Sequence, residues 1–253
     1  MKTLDNRVAI ITGAAGGIGR GVVQRFADEG ALLVLADIKT DDVQDLARTL
    51  IDAGSRAIGV GCDVANEDDI TRVIDAAIAE FGQIDILVNL AQGGLADHTY
   101  LDGTTAADAA SSMLTGPIQS MLFMQKCLPY MRERGYGRII NTGSHAALTG
   151  LPGFAPYAMA KGAVQALTRS ASQEWGQYGI VTNTFVPILR TPAYDTTEQG
   201  RATIDQITRD VPVGKFGTAY DDGSPVLVFL ASEGAGYING QTISADGGWR
   251  LIS

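Results

Sequence analysis

Residues 7–30, RVAIITGAAGGIGRGVVQRFADEG, decide the fold. RVAIITG is a short apolar run rich in β-branched residues, as a buried strand requires. Glycines follow at once, and beyond Gly13, Gly17 and Gly19 the apolar residues Val22, Val23, Phe26 and Ala27 recur at helical spacing. Strand, glycine loop and helix in that order are the context a dinucleotide fingerprint needs. Glycines let the backbone approach a pyrophosphate, and a helix N-terminus offers it N–H groups and positive potential. The spacing is G-x-x-x-G-x-G, with Ile18 between the last two glycines.

Working outward, ALLVLADI (residues 31–38) reads as a second buried strand that delivers Asp37. A carboxylate there can accept from both hydroxyls of an adenosine ribose and would repel a 2′-phosphate, which favours NAD over NADP. The pattern then repeats. DDVQDLARTLIDAG and EDDITRVIDAAIAEFG read as helices closed by Gly54 and Gly82, RAIGVGCDV and QIDILVNLA as strands. A long helical region containing Pro117 and Pro129 runs to about Arg134, and GRIINTGS, GIVTNTFVP and GQTISADGG supply three more strands. Strands alternating with helices predict an α/β fold, a doubly wound parallel sheet of about seven strands in a single domain spanning residues 1–253. Residues 188–216, rich in Thr, Pro and Asp, are too long for an ordinary connection and read as a substrate lid.

The chemistry points to residues 137–163, GRIINTGSHAALTGLPGFAPYAMAKGA. Tyr157 and Lys161 stand four apart in a helix-compatible run, so both leave one helical face. A tyrosine hydroxyl ionises near ~10, and a cation within about 4–6 Å favours the phenolate. Ser144, at the end of the strand-like RIINTGS, is placed to address a substrate carbonyl. Together the three describe proton transfer at an alcohol or carbonyl oxygen.

The totals narrow the function. With 253 residues, 45% hydrophobic and 19% charged, the chain can bury a sizeable core. A net charge of −9 argues against nucleic acid and anionic membranes as partners. Cys62 and Cys127 have no metal-ligand neighbours and read as small buried residues in a reducing compartment. With no basic-then-apolar leader and no run of about 18 apolar residues, the expected location is cytoplasmic.

Over its whole length the chain resembles the short-chain dehydrogenase/reductase family in its smaller, single-domain form. TGAAGGIG matches that family's cofactor loop, and Asp37 its NAD-selecting acid. Asp63-Val64 matches the segment that contacts adenine, and Asn89 the first residue of its N-N-A-G strand end. Ser144 precedes Tyr157 by thirteen residues, as the catalytic serine does there, and Tyr157 with Lys161 completes Y-x-x-x-K. The resemblance implies NAD as cofactor, held by Gly13, Gly17, Ile18, Gly19, Asp37, Asp63, Val64, Asn89, Tyr157, Lys161 and Thr191. It implies Tyr157 as general acid/base, Ser144 as the residue orienting the substrate oxygen, Lys161 on the nicotinamide ribose, and a homotetramer.

Three positions depart from the pattern. Gln92 stands where N-N-A-G has glycine, Met113 where the extended catalytic tetrad has asparagine, and Pro187-Ile188-Leu189-Arg190-Thr191 lacks the glycine of P-G-x-x-x-T. Leu148, Leu151, Phe154, Ile188, Leu189 and Tyr194 flank the expected site, so the expected substrate is a bulky, apolar secondary alcohol or its ketone. His98 and His145 are candidates to touch it. The alternatives are a 3-oxoacyl-thioester reductase, for which NADP selection and a basic mouth would be expected, and an NAD-binding regulatory protein whose chemistry lapsed with Met113.

Overall fold

A run of five to eight mostly apolar residues can be buried on both faces only in a sheet covered from both sides, and this sets the architecture. The computed structural model describes residues 2–93 and 99–250. Strands β1 (Val8–Thr12), β2 (Leu32–Asp37), β3 (Ala57–Gly61), β4 (Ile86–Asn89), β5 (Gly137–Thr142), β6 (Ile180–Pro187) and β7 (Thr242–Ala245) form one parallel sheet in the order β3-β2-β1-β4-β5-β6-β7. Helices α1 (Gly17–Asp28), α2 (Thr40–Asp52) and α9 (Ser224–Ala231) pack on the face presented by Ala9, Ile11, Leu33, Leu35, Val88, Ile140 and Phe185. On the other face α3 (Glu67–Phe81), α5 (Gln119–Arg134) and α7 (Ala155–Trp175) cover Val8, Ile10, Val34, Leu87, Ile139 and Ile180. Truncating any of the larger of these side chains to alanine is expected to cost about 2–5 kcal/mol.

Local chemistry sets the helix ends. The Asn66 side chain accepts from Asp68 N–H, three acids fill the first turn of α3, and Gly82 ends it in the left-handed conformation at φ 71°. The short helix α4 (Ala106–Met113) opens on a capping box between Thr105 and Asp108. Pro117 cannot donate to the carbonyl of Met113, so α4 does not run straight into α5. A π-helical turn, Leu114–Ile118, joins them.

The sequence reading placed Ser144 in the fifth strand. That strand stops at Thr142, and Ser144 instead caps α6 (His145–Thr149), its Oγ accepting from Ala146 N–H at 3.1 Å. Residues 188–216, read from the sequence as a lid, contain a regular helix, α8 (Glu198–Asp210), thirteen residues long.

Because β1 lies between β2 and β4, the chain crosses over after β3 and leaves a crevice above the C-terminal ends of these strands. The strand-end loops therefore meet on one side of the sheet.

Candidate active site

The crevice is a groove of about 440 Å³ lined by Gly13, Gly17, Ile18 and Gly19 from the glycine loop, by Asp37 at the end of β2, and by Asp63 and Val64 beyond β3. Gln92, Gly93, Thr115 and Thr191 close its far end. The loop admits glycine for steric reasons. A Cβ on Gly19 would lie 2.1 Å from the Gly13 carbonyl oxygen, and one on Gly17 would lie 2.7 Å from Thr191 Cβ. The first turn of α1 carries no acid, so the positive potential of its N-terminus is uncompensated.

Asp37 is clamped. Its Oδ2 accepts from Ala15 N–H at 2.9 Å and its Oδ1 from Lys39 N–H at 3.0 Å, which ties the acid to the glycine loop. Each carboxylate oxygen keeps a lone pair for a further donor. The described residues that line the groove include no Lys or Arg. Arg20, just past the loop, is turned away to the Ala15 carbonyl at 3.0 Å and to Asp42.

The proton-transfer residues gather at the end of β5. Lys161 is 3% exposed, donates from Nζ to the Thr142 carbonyl at 2.9 Å, and lies 5.6 Å from the centroid of the Tyr157 ring. Ser144, two residues beyond Thr142, lies close enough to the Tyr157 phenol to lower its pKa. This cluster adjoins the groove, because Gly116 of the π-helical turn comes within 3.4 Å of Ala160 Cβ when a Cβ is placed on it, and its neighbour Thr115 lines the groove.

Electrostatics here run against the simple expectation of a phenolate held by a cation. Burial pushes the Tyr157 hydroxyl above its ordinary range, and the nearby Ser144 hydroxyl opposes this only in part. Burial also lowers Lys161 to about 8. Both groups are thereby pushed toward their neutral forms.

Other expected positions fall differently. Asn89 does not line the groove; its Nδ2 donates to Asn141 Oδ1 at 2.8 Å and braces β4 against β5. Gln92 folds onto the π-helical turn, its Nε2 donating to Gly93 O at 3.0 Å and to Ser112 O and Thr115 Oγ1 at 3.3 Å. Met113 ends α4 immediately before that turn. Ile188 and Leu189 line a second cavity of about 360 Å³ beneath β7, not the groove. Leu148 and Leu151 are exposed. Tyr194 does face the site, close enough to raise the Tyr157 pKa, and packs edge-on against Phe216 at 5.4 Å.

His145 is buried and points to the C-terminal turn, 3.0 Å from Asp246 Oδ2. His98 lies outside the described residues. Three contributors escaped the sequence reading: the Thr142 carbonyl, Ser244 and Asp246. A backbone acceptor has no sequence signal, and an Asp before two glycines reads only as a turn.

Comparison with known proteins agrees with this geometry. A family model described as enoyl-(acyl carrier protein) reductase matches residues 13–250. The short-chain reductase protein NovJ of Streptomyces niveus is 33% identical, over 95% of this chain and 93% of its own length. D-threitol dehydrogenase of Mycolicibacterium smegmatis is 34% identical over 98% and 94%. The 3beta-hydroxysteroid dehydrogenase 2 of Eggerthella lenta is 33% identical over 97% and 95%. Among solved structures, 7 alpha-hydroxysteroid dehydrogenase complexed with NADH and 7-oxo glycochenodeoxycholic acid superposes with a TM-score of 0.89 at 29% identity, over 97% of this chain and 94% of the other. No helix among the described residues is long and apolar enough to cross a membrane. With a matching family model across nearly its full length, the same seven-stranded parallel sheet and relatives above 30% identity, the chain belongs to the short-chain dehydrogenase/reductase family.

Proposed function

We propose that this oxidoreductase interconverts a bulky, apolar secondary alcohol and its ketone with NAD(H), Tyr157 exchanging the proton on the substrate oxygen. The observation that carries the reading is the Ser144–Tyr157–Lys161 cluster beside a glycine-lined groove ending in a clamped acid.

The groove fits a nicotinamide dinucleotide. Its glycine loop is closed so tightly that a Cβ at Gly17 or Gly19 would clash with Thr191 or the Gly13 carbonyl, and Asp37 stands at one end with free lone pairs. Gly13, Gly17, Ile18, Gly19, Asp37, Asp63, Val64 and Thr191 would hold it, with Lys161 and Tyr157 toward the reacting end. When bound, the cofactor supplies the hydride acceptor or donor. Ser144 Oγ accepts from Ala146 N–H, and its O–H, which acts on the Tyr157 phenol, would turn to the substrate oxygen when one is bound. Tyr157 takes the alcohol proton in oxidation and returns it in reduction. Relatives named for hydroxysteroids support a bulky, apolar substrate, and the NADH named with the 7 alpha-hydroxysteroid enzyme supports NAD. The same reading includes a cytoplasmic homotetramer. Screening secondary alcohols and ketones with NAD(H), following absorbance of the reduced cofactor, tests it; absence of turnover across such a panel would count against it.

Wild-type kcat/KM is expected to favour NAD over NADP by at least about 10²-fold, because like charges juxtaposed in a binding site cost several kcal/mol. Asp37→Ala should narrow that ratio by improving NADP. Equal use of the two cofactors by the wild type would contradict the assignment.

The depressed Lys161 predicts a pH dependence. Below about 8 the lysine and the phenol both keep their protons, and the pair has no base for the alcohol. Oxidation kcat/KM should therefore rise about tenfold per pH unit toward 8 and level off above it, whereas reduction, which uses the protonated phenol, should not rise. In Lys161→Met the break should move up toward the raised range of the phenol. A wild-type oxidation rate flat from pH 6 to 9 would refute the coupling.

A further inference from the structure

Ser144 stands on a support too short to hold itself. Helix α6 has only five residues, little more than one turn. A single helical turn has almost no stability alone, so its orientation must come from tertiary contacts. It packs against α7, and its buried His145, 5% exposed, ties it to a second part of the fold.

The His145 imidazole Nε2 lies 3.0 Å from Asp246 Oδ2 and 3.1 Å from Ser244 Oγ. Ser244 spends its own proton on the Val186 carbonyl at 3.3 Å. Both partners of Nε2 therefore accept, and Nε2 must carry the hydrogen. Nδ1 is then an acceptor, buried and without a partner among the described residues, so a second proton there would have nowhere to go. The ring is neutral and locked in one tautomer.

Asp246 is equally committed. Its Oδ1 accepts from Gly248 N–H and its Oδ2 from Arg250 N–H, both at 3.0 Å, which winds residues 246–250 into a turn. That turn sets Trp249 edge-on to the His145 ring at 5.6 Å and 85°. One buried carboxylate thus joins the end of the chain to the residue next to Ser144.

We infer that His145 and Asp246 form a latch through which the C-terminal turn positions Ser144 against Tyr157. The inference rests on the proposed roles of Ser144 and Tyr157. His145 is a positioning residue: it touches neither substrate nor groove, and acts by fixing α6 so that the Ser144 hydroxyl keeps its line to the phenol. The C-terminal turn is on this account a working part of the active site, although β6 and β7 separate it from Ser144 in the sequence.

His145→Leu removes the donor and keeps the bulk; His145→Gln returns an amide N–H at about the reach of Nε2. With the best alcohol from the panel, His145→Leu should lower kcat about tenfold or more, since misplacing a reacting group by about 1 Å can cost as much as about 10²-fold. The NADH dissociation constant, read by fluorescence titration, should stay within about twofold, because the groove makes no use of the latch. His145→Gln should recover most of the lost kcat. Asp246→Asn should also lower kcat, and the double variant with His145→Leu should be no worse than the worse single one. Because Trp249 packs on the imidazole, His145→Leu should also shift its emission, whatever the substrate. The latch is overturned by an unshifted emission, by kcat in His145→Leu within about twofold of wild type, or by NADH affinity falling in step with kcat and no recovery in His145→Gln. Tyr157→Phe assayed alongside separates the two failures: if it turns over normally the parent reading is at fault, and if it is inactive only the latch is.

Discussion

Tyr157→Phe is expected to lower kcat by about 10²–10⁴-fold, the range for an essential general acid or base. The substitution deletes one oxygen and leaves the ring, so the packing at the head of α7 should survive. Its effect on stability should be small, because only one hydroxyl and its hydrogen bonding are lost. NADH affinity should hardly change, since Lys161 keeps its bond to the Thr142 carbonyl without help from the phenol. The check is single-turnover and steady-state kinetics with the same alcohol, together with an NADH titration. More than about a tenth of wild-type kcat remaining would remove Tyr157 from the chemistry.

The second large effect is expected at Gly19. A methyl group there would sit 2.1 Å from the Gly13 carbonyl oxygen and 2.8 Å from that of Ala14. Both obstacles are backbone, and Gly13 is itself fixed at φ 66° with Ala91 packed against it, so the loop can yield only by opening. Overpacking of this kind costs about 1–3 kcal/mol and occasionally more. In a chain of this size each kcal/mol lowers Tm by about 2–4 °C. The loss of cofactor affinity should exceed the loss of stability, because the displaced N–H groups are those that face the groove. Gly19→Ala should weaken NADH binding by more than about tenfold, equivalent to about 1.4 kcal/mol. Calorimetry with an NADH titration on the same sample measures both quantities, and a variant that binds NADH like the wild type would show that the loop is not the cradle.

The two expectations differ in how far they could be drawn without coordinates. That Tyr157 and Lys161 share a face follows from helical periodicity alone, and the structure puts both in α7. That the phenol is raised and not lowered follows from burial by elements far away in sequence, which no spacing of residues reveals. For Gly19, the repeat of glycines after a strand already marks a close approach, but only the fold shows that Gly13 and Ala14 are what it approaches.

By itself the sequence determined the layered fold, the strand count, the glycine loop, the placement of Asp37 and the common face of Tyr157 and Lys161. These are local properties: a strand of apolar residues, a helix of period 3.6, and a turn that only glycine tolerates are each set within a few residues. The tertiary structure alone decided that Ser144 caps a helix instead of ending a strand, that Gln92 and Asn89 brace the scaffold, and that Ile188 and Leu189 leave the groove for another cavity. It also decided that His145 meets Asp246. Each of these depends on which groups lose water together and on which buried donor finds which acceptor. Desolvation and pairing of that kind are properties of the assembled chain, made by residues that the sequence keeps far apart.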